Sequence, residues 1–329
     1  MQNVYNNENP LFFLFTCVKD GRAFINKLFD SLLQQSKVNF VHYIYEDGSN
    51  DPIEDLVDIY KEKNSKLSNP IQIIYEKNPK NIGLNMATKH CIDMCYLPYF
   101  LWINCDDWVH KDFFSNLEKE VTRHPDKSIF FSNMKVYENN KFHCRIGSRY
   151  LWNILKKSNF NELLLADKMV FNHFCLKLDK YKQINPENLI LDKKIFFNDE
   201  QVVVPLAFKN IGFCYCKKII TYFYKRGDSE FLVNNQDETK KVILYREYFR
   251  ALKFIDFESF LDLYDLLQNF KHILSNLYRN RKYNEFLSKL NEYKSILEKH
   301  KLFLKPFYYG EKPFIYWKFI VSLRKILKF

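Results

Sequence analysis

The sequence predicts an α/β fold: a Rossmann-like, mostly parallel central sheet flanked by helices, followed by an α-helical C-terminal extension. Three observations predict it. Short apolar runs alternate with segments of helical periodicity through the first half of the chain. The runs are apolar at successive positions, as in strands covered on both faces. From about 242 to 302 the pattern is helical throughout, with no strand signal. At 329 residues and 47% hydrophobic, the chain can bury a large core and has room for two units. The polar stretch "GDSEFLVNNQDETKK" (227–241) marks the expected boundary, which gives units 1–229 and 230–329.

The elements follow in order. "LFFLFTCV" (11–18) reads as a covered strand, and "RAFINKLFDSLLQQ" after it places Phe24, Leu28 and Leu32 on one helical stripe. "FVHYIYED" (40–47) is a second strand, and "IEDLVDIYKEK" a helix with Pro52 at its entry. "IQIIYE" (71–76), helix "GLNMATKHCIDMC", strand "YFLWIN" (99–104), helix "DFFSNLEKEV" and strand "SIFFSNMKVY" continue the alternation. Residues 139–195 are less regular, and "VVVPLAFKN" and "CKKIITYFY" then resume a core pattern.

Composition narrows the function classes. The net charge of +11 is concentrated at one end: from residue 300 onward there are seven Lys or Arg against a single acid, Glu311, a local excess of +6. That pattern points to a local anionic partner rather than to nucleic acid. No stretch offers about 18 apolar residues for a membrane span, and the polar start "MQNVYNNENP" lacks the apolar core of a signal peptide, so a cytoplasmic location is expected. The eight cysteines form no paired CxxC motifs and read as reduced thiols. Cys214 and Cys216 in "GFCYC" share one face of a strand, a poor geometry for a closed zinc site.

The chemistry collects at strand ends. In "YFLWINCDDWVH" an apolar strand stops abruptly at Asp106 and Asp107, and unpaired buried carboxylates cost several kcal/mol, roughly, so acids placed there suit a bound cation. An exposed turn that caps a helix is the plainer alternative. Thr16–Lys19 and "YEDGSND" end two other strands on the same rim, where open parallel sheets bind their ligands. Between them "NPKNIGLNMA" leads through a glycine turn into a helix whose N-terminal N–H groups suit an anion. Acids beside a phosphate site imply a bridging Mg2+ or Mn2+.

With these segments in order, residues 10–230 resemble the inverting glycosyltransferases of family 2, which have the glycosyltransferase A (GT-A) fold. The family's first strand is similar to "LFTCVKDGRAFINKLFDSLLQQS", with Cys17 and Val18 at the usual Tyr-Asn. Its Asp-Asp-Gly-Ser-x-Asp motif is similar to "EDGSND", Glu46–Asp51, and its Asn-x-Gly to Asn81 and Gly83, with Thr88-Lys89 in place of a customary Arg-Asn. Its Asp-x-Asp resembles "NCDD", with Asn104 at the first position, and its Glu-Asp base motif resembles Asp199-Glu200 in swapped order.

The resemblance implies roles. Thr16, Cys17, Lys19, Glu46, Asp47, Asn81, Gly83, Lys89, Asn104, Cys105, Asp106 and Arg226 would line the nucleotide-sugar site, Glu46 or Asp47 meeting a uracil imide. Asp106, with Asn104 and Asp107, would hold Mn2+ or Mg2+, and Glu200 or Asp199 would be the catalytic base. Lys225 and Arg226 suit a diphosphate or a solvated turn, and His173 an acceptor cleft or a structural place. The implied reaction is transfer of a hexose or N-acetylhexosamine from a UDP-sugar to a glycan or lipid-linked acceptor. The tail "PFIYWKFIVSLRKILKF" steps Ile315, Phe319, Leu323, Ile326 and Leu327 to one side and Lys318, Arg324, Lys325 and Lys328 to the other, a helix suited to the inner face of an anionic membrane. Two other readings stand beside this one. A sugar nucleotidyltransferase would carry a glycine-rich loop where "TCVKDGRAF" has one glycine, and a non-catalytic binding relative is compatible with Asn104 and the swapped acids.

Overall fold

The computed structural model describes residues 10–138, 141–146, 173–191, 198–209, 211–225, 246–254, 257–280 and 282–299. Strand β1 (Phe12–Val18), helix α1 (Ile25–Leu33), β2 (Phe40–Asp47), α2 (Glu54–Ser65), β3 (Gln72–Asn78), α3 (Leu84–Asp93) and β4 (Tyr99–Trp102) realise the predicted alternation. After them come β5 (Trp108–Val109), α4 (Phe113–Arg123), β6 (Ile129–Glu138), β7 (Lys141–Ile146), β8 (Phe174–Lys177), α5 (Leu178–Ile184), α6 (Asn198–Phe208) and β9 (Phe213–Lys225). Two long helices, α7 (Glu258–Arg279) and α8 (Tyr283–Lys299), complete the described chain.

One sheet runs β3-β2-β1-β4-β8-β6-β9-β5, with β7 on β6. Its first four strands are parallel neighbours, as predicted. Beyond β4 it is mixed: β8 runs antiparallel to both β4 and β6, while β6 and β9 are parallel to each other. The sequence left no trace of this insertion because β8 is only four residues long and lies within the irregular 139–195 stretch.

Both faces of the sheet are covered, which is why the central strands are apolar at successive positions. Phe12, Leu14 and Ile44 pack with Leu28, Val57, Phe114 and Leu117 beneath α1, α2 and α4. Phe13, Phe15 and Tyr43 turn to the other face and meet α3, α6 and the C-terminal helices. There Tyr248, Phe249, Leu261 and Phe270 share one buried cluster with Val202 and Phe174. The expected boundary at 229/230 and the basic tail both lie outside the described residues.

The segment "VVVPLAFKN" is helical, within α6, despite three consecutive valines and Pro205. A proline in a helix interior removes the N–H that would reach the carbonyl four residues back, here that of Gln201. The Tyr248 hydroxyl donates to the Gln201 carbonyl at 2.9 Å and so replaces the missing donor.

Candidate active site

Parallel strands β1, β2 and β4 end on one rim, and the turns that follow them are fastened together. Asp20 accepts from the Asn50 backbone N–H at 2.7 Å, and its own N–H donates to Ser49 Oγ at 3.1 Å, which ties the β1 loop to the β2 loop. Asp20 carries this contact at φ +51°, the left-handed region where Asp is among the better tolerated side chains. Gly48, at φ +61°, lies so close to the next loop that a Cβ there would sit 2.2 Å from the Asn81 nitrogen. A Cβ on Gly21 would meet Cys105 Sγ at 2.8 Å, so the 104–107 turn rests directly on the β1 loop.

Asp47 fastens the third loop. Its two oxygens accept the backbone N–H groups of Ile82 at 2.8 Å and Gly83 at 3.0 Å, fixing the turn into α3. Gly83 takes φ +87°, which a side chain would resist, and Asn81 Oδ1 also accepts from its N–H. The Glu46 carboxylate is fully buried and accepts from Ile53 N–H at 3.0 Å and from the Tyr75 hydroxyl, so it holds the start of α2. Thr16 is buried, with its hydroxyl on His42 Nε2 at 3.1 Å. Cys17 stands half-buried with its sulfur 3.6 Å from Cys91, and Lys19 is exposed on the rim. Lys89 pairs with Asp93 at 2.7 Å, one turn further from the rim, because both lie on the same stripe of α3.

The two adjacent acids after β4 have different duties. Asp106 is half-buried at the rim, beside Cys105. Asp107 is fully buried: Oδ2 accepts from His173 Nε2 at 2.9 Å and Asn104 Nδ2 at 3.1 Å, and Oδ1 from Tyr224 N–H at 2.9 Å. Asp107 is thus a pivot that ties the turn to the start of β8 and to the end of β9. His173 takes the structural place, at φ +59°, aimed at that pivot. Since Asn104 spends its amide nitrogen on Asp107, its carbonyl oxygen is its remaining ligand atom. The Asp106 carboxylate and that oxygen would offer only oxygen donors, the chemistry that fits a hard divalent cation.

The start of α6 is tied to the start of α3 through contacts the sequence did not disclose. Gln201, fully buried in the first turn of α6, donates to Leu191 O at 3.1 Å and accepts from Leu191 N–H at 2.6 Å. Asn85, in the first turn of α3, donates to the same Leu191 carbonyl at 3.2 Å. The N-terminus of α6, with half-buried Asp199 and then Glu200, is thereby pinned beside the Gly83 turn. Arg226 lies outside the described residues. Tyr75, Asn85, Gln201 and Tyr248 all escaped the sequence reading, since each acts through a contact that its own segment does not reveal.

A parallel-started, mixed sheet with helices on both faces and acids gathered beyond β4 defines a GT-A glycosyltransferase. The chain belongs to glycosyl transferase family 2, whose sequence profile matches residues 14–182, just over half of its length. Solved structures carry the same fold. TarS from S. aureus (residues 1–349), in complex with UDP-GlcNAc, is 13% identical with a TM-score of 0.61, covering 87% of this chain and 81% of that one. The mannosyltransferase PcManGT from Pyrobaculum calidifontis, in complex with GDP-Man and Mn2+, is 10% identical with a TM-score of 0.55, covering 91% of this chain and 77% of that one. No curated protein sequence matches the chain.

Proposed function

We propose that this glycosyltransferase moves a hexose or N-acetylhexosamine from a UDP-sugar, with inversion, to a hydroxyl of a glycan or lipid-linked acceptor. The observation that carries the reading is the joining of three segments: the turn that carries Asp106, the Gly83 turn into α3 that Asp47 fastens, and the start of α6, which carries Asp199 and Glu200 in sequence. TarS was solved with a uridine diphosphate sugar, which favours uridine over guanosine as the first donor to test.

Asp106 and the Asn104 carbonyl oxygen would hold Mn2+ or Mg2+, which as a Lewis acid offsets charge on the departing diphosphate. The N-terminus of α3 presents N–H groups and its positive dipole end to the same anion. Asp199 or Glu200 takes the proton from the acceptor hydroxyl. The basic tail, residues 313–329, holds the enzyme at the inner face of an anionic membrane, where lipid-linked acceptors are found.

The test is a panel of UDP-sugars and GDP-Man assayed for metal-dependent transfer or hydrolysis. Asp106→Ala is expected to abolish turnover and leave the fold intact, and near-wild-type turnover by that variant would sink the metal assignment. In the same assay, either Asp199→Asn or Glu200→Gln should lose roughly 100- to 10,000-fold in rate, the range for a positioned base.

A further inference from the structure

A second cluster of ligating side chains stands at the opposite pole of the sheet. Helix α4 carries Glu120 and His124 one turn apart, and Cys214 lies near the amino end of β9, paired with Phe130 of β6. The ligand atoms of Glu120, His124 and Cys214 all lie within 4.8 Å of one another, and all three residues are half-buried. Cys214 and Tyr224 pair with Phe130 and Tyr137 of β6, seven residues apart, so this cluster is on the order of 20 Å from the donor rim. It belongs to no part of the transfer site.

We propose that Glu120, His124 and Cys214 form a zinc site that clamps α4 to β9. One thiolate, one imidazole and one carboxylate suit Zn2+ and are a poor set for the hard ions of the donor rim. Tetrahedral ligation at zinc distances spaces donor atoms about 3.3 to 3.8 Å apart, so the present spacing needs an inward shift of about 1 Å. His124 is the C-cap residue of α4 and Glu120 has a flexible side chain, so both can supply it. Arg123 holds Glu120 Oε1 at 2.8 Å, which leaves Oε2, the oxygen 3.6 Å from His124 Nε2, to face the metal.

Cys216 completes the arrangement from behind. Its sulfur is 3.9 Å from Cys214 Sγ and donates to it. A donor aimed at a ligating sulfur is the usual outer support of a metal site. The Cys-x-Cys pair alone looked poor for zinc because a strand cannot wrap an ion; the missing ligands come from the helix across it.

The experiment uses the full chain, stripped with a chelator and titrated with Zn2+ and with Co2+. One equivalent of Zn2+ should bind and raise Tm, and Co2+ should develop thiolate charge-transfer absorption. His124→Gln, at the half-buried end of α4, should weaken Zn2+ by more than the roughly 10- to 100-fold that loss of an outer partner costs. Cys214→Ser should abolish the Co2+ absorption, and should Cys214→Ser fail to fold, His124→Gln decides alone. Asp106→Ala should retain both signals. Equal Zn2+ affinity in wild type and His124→Gln, no stoichiometric binding at all, or binding lost in Asp106→Ala would each overturn the proposal.

Discussion

Asp107 and Asp106 are neighbours in sequence and opposites in use, and burial separates them. Three donors from three elements converge on Asp107, so Asp107→Ala leaves His173, Asn104 and the Tyr224 N–H without their acceptor. Breaking a buried charged network by removing one partner costs on the order of 3–5 kcal/mol. Urea unfolding should register that loss, and an unchanged midpoint would show that Asp107 is not the pivot. Sequence alone could place two acids at a strand end but not say which one faces inward, because that depends on where His173 and Tyr224 arrive. His42 is a second buried residue with a measurable consequence. Burial pushes its imidazole down to about 3, from an ordinary value near 6.5. Between those two values the unfolded chain binds the extra proton, so stability is fully present above about pH 6.5 and falls as pH drops towards 3. From pH 7 to pH 5 the loss is about 2 kcal/mol. The fall in unfolding free energy over that interval should be smaller by this amount in His42→Gln; an equal fall in both proteins would remove His42 as its source.

At the scale of elements, β1 through β4 and α4 were legible because each is a short apolar run or helical stripe of ordinary length, whereas the two-residue β5 left no signal. Helix α6 was not, since Val202, Val203 and Val204 carry strand propensity and Pro205 discourages a helix. Tertiary contacts override that preference: the valines are buried against the sheet, and the Tyr248 hydroxyl serves the carbonyls of Gln201 and Leu189, at 2.9 and 2.8 Å. Tyr248→Phe keeps the ring and removes the one O–H that the two carbonyls share; Leu189 O keeps Asn185 Nδ2 at 2.9 Å, so the loss falls on the Gln201 carbonyl. The expected cost is about 1–3 kcal/mol of stability. Because α6 carries Asp199 and Glu200, transfer rate should fall as well, while nucleotide binding through the β2 and Gly83 loops is kept. Thermal unfolding together with kcat and donor Kd checks this, and an unaltered Tm would mean that α6 does not lean on Tyr248. The site was legible to the same degree as its elements: the strand-end motifs could be read, whereas the Asn85–Leu191–Gln201 contacts that tie α6 to the start of α3 join residues over 100 positions apart.

Over the whole molecule, the C-terminal helices look in sequence like an attachment and in structure like one wall of the core. Tyr248, Phe249, Phe257, Leu261 and Phe270 are buried in the cluster that also holds Phe13, Phe100 and Val203. Burying each such side chain contributes about 1.5–3 kcal/mol, so these five together supply roughly 10 kcal/mol, comparable to the whole stability of an ordinary domain. A chain ending at Ser229 would uncover that face and should lose cooperative unfolding and expose apolar surface to a hydrophobic dye. Ending at Lys312 is a different change: it removes only the basic amphipathic stretch and keeps every residue of that wall. This second chain should unfold like the full-length protein and retain donor turnover in solution. It should also lose salt-sensitive co-sedimentation with anionic liposomes, to which four basic residues contribute about 1 kcal/mol each. Equal liposome binding by the full-length and Lys312-ended chains would assign the tail to packing. A chain ending at Ser229 that melts cooperatively at the full-length Tm would make the GT-A unit self-sufficient, and the shared core dispensable to it.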